Sequence, residues 1–220
     1  MNFQKNIEQI ITDLEQNGYV TILKKDYRKN FDGDKEEIIE YFKEFGLSTN
    51  DSLLEFYSQV DLFELEWHID IENKGLVPYS EDEKLVTGII SILPYHQMIE
   101  GKSSSHWEDI IWYEDEDVSL KNELKKLKPF DYFYSDNSNC VCCYLRNNKL
   151  EDRLMLFGNE KGINPFPLSL NEYIKALTIT RGFHFWHDAL LSKDNVNRDI
   201  YNHYMPQIFE NYSLNDVLVY

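Results

Sequence analysis

Histidine, cysteine and carboxylate side chains are the groups here that could do chemistry, and their spacing limits what that chemistry could be. His184 and His187 stand three apart, which puts both on one face of a helix and could hold zinc. Phe185 and Trp186 lie between them, so the glutamate that acts as general base in H-E-x-x-H is missing. Cys140, Cys142 and Cys143 form a second conceivable ligand set, but no second cysteine pair accompanies them, and structural zinc takes four ligands in separated pairs. They read better as strand thiols in a reducing compartment. Cys140 and Cys142 share one face, too tightly spaced for an ordinary disulfide.

Nucleophilic and phosphate chemistry find no scaffold. No G-x-S-x-G elbow, P-loop or G-x-G-x-x-G occurs, and nine glycines in 220 residues leave little material for phosphate-cradling loops. With 39 acids present, any carboxylate pair that might cleave a glycoside is one choice among too many to inform. An enzyme would have to use His68, His184 or His187 with a carboxylate. The expectation is a non-catalytic chain without metal or cofactor.

Charge points elsewhere. Thirty-nine acids against 22 bases give a net charge of -17, which disfavours nucleic acid and anionic membrane surfaces and favours a basic protein partner. The charge is also unevenly placed: residues 61–117 hold fifteen acids and three bases, whereas the other 163 residues carry only -5. Within that region Trp107 and Trp112 lie among Glu108, Asp109, Glu114, Asp115, Glu116 and Asp117, and Glu81, Asp82 and Glu83 form a second run. Aromatic anchors ringed by charge are what protein hot spots use, so these eleven residues are the expected contact set. The alternative is a solvated acidic loop with its tryptophans in the core. Glu64, Glu66, His68 and Asp70 alternate along one strand face and are expected to be solvated, or else to meet a partner's cations.

These groups must be positioned by elements legible from periodicity. Phe3, Ile7, Ile10, Ile11 and Leu14 predict an amphipathic helix that Asn17-Gly18 stops in left-handed conformation. Tyr19–Leu23 predicts a short strand and Lys24–Gly33 a loop. Helices are expected from Asp34 to Phe45 and from Asp51 to Val60. LFELEWHIDI, residues 62–71, alternates with period two and predicts a strand with one buried and one acidic face. Further strands are expected at 85–93, 132–134, 141–145 and 153–157, with a helical turn or two through Leu120, Leu124 and Leu127. Ser169 and Glu172 form a capping box opening a helix, and another helix is expected over 183–191. Helices first and a run of strands after predict an α+β fold, with five or six largely antiparallel strands packed by N-terminal and closing helices. The N-terminus lacks the apolar stretch of a secretory signal, and no apolar run approaches the ~20 residues of a membrane span, so a cytoplasmic location is expected.

Particular words inside this order resemble the SUKH superfamily, which includes the Smi/Knr cell-wall regulators and many bacterial immunity proteins. They are DSLLEFYSQV (51–60) running into LFELEWHI (62–69), then LKPFDYF (127–133), then LRNNKLEDRLMLFG (145–158) with LSLNEYIKAL (168–177). The likeness is strongest over 34–180 within a domain of residues 1–180; residues 181–220 would be an extension packed on the same domain. Val60-Asp61 stands where many members have a glycine-containing turn. The resemblance implies a binding module without an active site: an immunity protein that neutralises a cognate toxin, often a nuclease, or a regulatory scaffold of the Smi/Knr kind.

Overall fold

The structure, a computed structural model, describes residues 1–30, 34–100, 122–133, 139–158, 162–191 and 196–209. Its centre is one antiparallel sheet of seven strands in sequence order: β1 (Thr21–Lys29), β2 (Val60–Asp70), β3 (Leu85–Ile92), β4 (Leu127–Tyr132), β5 (Asn139–Arg146), β6 (Lys149–Gly158) and β7 (Gly162–Ser169). The helices among the described residues are α1 (Phe3–Gln16), α2 (Asp34–Glu44), α3 (Asp51–Tyr57), α4 (Ile71–Lys74), α5 (Tyr95–Glu100), α6 (Leu170–Thr180), α7 (Trp186–Leu191) and α8 (Val196–Ile208), and Asn122, Glu123 and Leu124 are helical as well. The fold is α+β, as expected, but the sheet has seven strands and not five or six.

The extra strand length lies where sequence signals are weakest. β1 continues through the polar stretch Lys24–Lys29, with most of its side chains exposed, so it carries little apolar alternation to announce it. Lys24 reaches Glu64 at 2.9 Å and Arg28 reaches Asp61 at 3.3 Å, so Glu64 of the outer β2 face meets a cation of its own chain, while Asp70 caps the following helix by accepting the Asn73 N–H at 2.9 Å. β7 contains Pro165 and Pro167, which argue against a central strand; it is the far edge, where missing N–H groups are tolerated. Leu127 belongs to β4 and not to a helical turn. Asn17 ends α1 in extended conformation (φ -81°), so the expected left-handed stop is absent.

The main core lies between one sheet face and the helices. Phe63, Leu65, Trp67 and Ile69 of β2 meet Phe3, Ile7 and Ile10 of α1 and Tyr173, Ile174 and Leu177 of α6 in one buried cluster. Phe183, Trp186, Tyr201, Tyr204 and Phe209 belong to that same cluster, so the chain after residue 180 shares the core. A smaller cluster, built by Leu127, Tyr132, Cys140, Cys142 and Phe157, uses the alternate residues of β4–β6 and so lies on the opposite face.

The sheet thins at its centre. β3 and β4 are in register only at Ile92↔Asp131. Beside the first half of β3 the place of a strand is taken by the loop after α6: Ile89 N–H donates to Gly182 O at 2.8 Å and His184 N–H to Thr87 O at 2.9 Å. Two residues of this loop, Arg181 (φ 52°) and Phe185 (φ 60°), adopt left-handed backbone that bulky side chains disfavour. The loop is therefore held by its surroundings, and Trp67 supplies one hold by donating its indole N–H to Arg181 O at 2.8 Å.

Candidate functional site

One of the chemistry-bearing groups singled out from sequence, His187, meets Asp131 and Tyr173 at the thin part of the sheet. Asp131 accepts the Ser91 backbone N–H at 2.7 Å and the Tyr173 hydroxyl, also at 2.7 Å. Tyr173 Oη lies 2.9 Å from His187 Nε2. Because Tyr173 gives its proton to Asp131, His187 must be the donor at Nε2, and its Nδ1 has no hydrogen-bond partner among the described residues. Burial pushes Asp131 up to about 6 against the lowering effect of its two hydrogen bonds, and pushes His187 well below the ordinary histidine range.

These three residues resemble a proton relay, but they are sealed. Asp131, Tyr173 and His187 are at most 1% exposed, and the His187 ring is stacked on Phe133 at 3.8 Å with Trp186 at 4.0 Å. Among the described residues none of the three side chains is open to solvent. Their work is to stand in for the missing β3–β4 ladder: the Asp131 side chain takes a backbone donor that a neighbouring strand would otherwise satisfy.

His184 faces a different place. A cleft of about 140 Å³ opens beside the first half of β3, lined by Glu83, Thr87, Phe183, His184, Phe185 and Tyr204, with Asn197 and Ile200 from the start of α8. Neither His187 nor His68 lines it. Tyr204 donates its hydroxyl to Glu83 at 2.5 Å, and Ser80 N–H reaches the same carboxylate oxygen at 3.3 Å. Burial, and then the bond to Glu83, raises Tyr204 to about 12, so it keeps the proton it donates. Burial lowers His184 to about 4, which leaves its ring neutral near pH 7.

Exposed apolar side chains stand on the elements that contribute to this cleft. Leu85, Val77 and Val196 are 52%, 62% and 58% exposed, and Tyr79 is 40% exposed. The loop carrying Val77 and Tyr79 is tied to α8. His203 Nε2 lies 2.7 Å from Val77 O, Val77 N–H donates to Gln207 Oε1 at 3.1 Å, and Tyr79 N–H donates to the Tyr204 hydroxyl at 2.8 Å. Glu81 and Asp82 stand fully out in solvent on the same loop, and Glu83 turns inward.

Of the eleven contact residues expected from sequence, Glu81, Asp82 and Glu83 stand in one loop with exposed Val77 and Tyr79, which periodicity did not reveal. Trp107, Glu108, Asp109, Trp112, Glu114, Asp115, Glu116 and Asp117 lie outside the described residues. The apolar members were missed because Val77, Tyr79, Leu85 and Val196 come from a loop, a strand start and a helix start, with no shared period. One signal was available: Tyr79 and Pro78 in a polar excursion, where a solvated loop has no need of an aromatic ring.

The cysteines are strand thiols of β5. All three are free and buried, Cys140 Sγ and Cys142 Sγ are 3.2 Å apart on one face, and burial pushes the Cys142 and Cys143 thiols up. Among the described residues no three histidine, cysteine or acidic side chains gather in a metal-holding group, and no helix is long and apolar enough to cross a membrane. No protein-family model matches the chain, and neither a curated protein nor a solved structure matches it.

Proposed function

We propose that this chain is a non-catalytic protein-binding module, an immunity protein that neutralises a cognate bacterial toxin in the cytoplasm by covering a basic surface of it. The observation that carries the reading is that exposed Val77 and Tyr79 stand in one loop with Glu81, Asp82 and Glu83, and that exposed Leu85 follows them at the start of β3. Exposed apolar groups rimmed by charge mark interaction sites, and the sign of the charge selects a cationic partner. The net charge of -17 and the likeness to the SUKH superfamily support the same reading.

The mechanism follows from the two kinds of side chain. A toxin that acts on nucleic acid needs a positive groove for its substrate. Long-range attraction brings the acidic protein to that groove, raising association roughly 10–10³-fold at low salt. The apolar groups, once desolvated against the toxin, slow its departure, because affinity within one interface is tuned mainly by dissociation. Occupying the groove is sufficient for inhibition. No bond in either protein has to change.

The test is co-expression with the protein encoded immediately upstream. Restored growth and a one-to-one complex are the expected results; toxicity unchanged and no complex overturn the reading. A Glu114/Asp115/Glu116/Asp117→Lys variant tests the expected contacts outside the described residues, and is expected to weaken the complex.

A further inference from the structure

We infer that the cleft beside β3 receives one arginine side chain of the docking partner, its guanidinium seated between the Phe183–Phe185 aromatic wall and the Glu83 carboxylate. The inference rests on the proposed docking of a basic protein on this face, and it names the group that enters. At about 140 Å³ the cleft is well below the roughly 300–1,000 Å³ of sites that hold whole small molecules, but it suits the end of one side chain.

Part of the lining favours a flat cation. Glu83 is held by Tyr204 and Ser80 through one oxygen, Oε2, which leaves Oε1 to accept from a ligand. Asn197, which also lines the cleft, donates to Asp188 at 3.3 Å, which leaves its amide oxygen for a second N–H. The neutral His184 ring adds no repulsion.

The aromatic wall separates arginine from lysine. Phe185 is half-buried and held at φ 60°, a conformation glycine would adopt freely, so the site keeps a strained ring where a small residue would fit the backbone better. A guanidinium stacks on an aromatic face while its edge forks to a carboxylate; a compact, strongly hydrated ammonium cannot do both.

The experiment titrates the isotope-labelled protein with N-acetyl-arginine-N-methylamide and follows amide shifts by NMR. Saturable shifts confined to Thr87, Phe183–Phe185, Asn197 and Tyr204 are expected, with the lysine analogue at least about fivefold weaker and the citrulline analogue inert. Glu83→Gln, which keeps an oxygen acceptor for Tyr204 and Ser80, should weaken the arginine probe about tenfold, the worth of one charge-assisted hydrogen bond. Phe185→Gly, which relieves the backbone, should weaken it as well. Absent saturation, equal shifts from citrulline, or unchanged binding in Glu83→Gln overturns the assignment. Because the probe needs no partner, failure of the toxin test leaves this result standing. Conversely, a toxin complex indifferent to Glu83→Gln yet lost in Glu81/Asp82→Lys keeps the docking face and removes the arginine seat.

Discussion

The Asp131 carboxylate accepts the backbone N–H of Ser91 at 2.7 Å, close to the only residue pair through which β3 and β4 are in register. A side chain thus does at this point what backbone does elsewhere in the sheet. Its acidity then becomes a property of the fold.

With Asp131 raised to about 6 from 3.8, the folded chain binds more protons than the unfolded chain between those values. Stability from this group therefore falls as pH rises from about 4 to 6, and the penalty is complete above 6. Asp131→Asn keeps an acceptor for Ser91 and removes the titration. Relative to wild type, the variant should gain about 1–3 kcal/mol between pH 4 and pH 7. Urea unfolding across that range checks it, and a pH-independent difference between the two proteins would refute the assignment. His187 contributes equally to both, so its own titration cancels.

Gly88 is required by Trp67. A Cβ at position 88 would lie 2.2 Å from the indole of Trp67, a fully buried side chain whose N–H holds Arg181 O. Gly88→Ala forces the ring to move and should cost about 1–3 kcal/mol, read as a lower urea midpoint at unchanged slope. Gly88→Ala combined with Trp67→Phe should cost less than the two single changes added together, because both act on the same contact.

How much of this was legible is clearest at particular residues. The β2 alternation, the Asn50–Asp51 start of α3 and the Ser169/Glu172 capping box were readable because each depends on neighbours within a few positions. Only the start of β1 was readable and β7 was not, since edge strands need no apolar alternation, and prolines and lysines are how such edges are protected. α8 escaped because its buried groups, Tyr201, Tyr204, Met205 and Ile208, stand beside polar ones that are amphipathic themselves. At the candidate site, Glu83 was singled out by charge alone; its Tyr204 partner is 121 residues away, and that pairing is set by the fold rather than by any local pattern.

The β7 edge gives a prediction about self-association. Pro165 and Pro167 have the same parity, so both remove a donor from the same side of the strand. Replacing both with threonine restores two outward N–H groups beside a strand of high β-propensity. The double variant should form dimers or larger species at concentrations where wild type does not, as measured by light scattering after size-exclusion chromatography. A variant that elutes like wild type would show that another feature protects this edge.

Charge and apolar area on the proposed docking face should act on different rate constants. Glu81 and Asp82 are exposed and make no tight contact with the fold, so their replacement by lysine changes the field and little else. Against the cognate toxin, Glu81→Lys/Asp82→Lys should slow association about tenfold or more at low salt and flatten its dependence on ionic strength, with dissociation changed much less. Tyr79→Ser and Leu85→Ser remove exposed apolar area without altering charge. They should leave association near wild type and speed dissociation, by about tenfold for each 1.4 kcal/mol of lost contact. Surface plasmon resonance at two salt concentrations separates the two effects. If charge reversal changed only dissociation, the acids would be direct contacts and steering would play no part; if neither pair of changes moved either constant, the toxin would be docking elsewhere on the molecule.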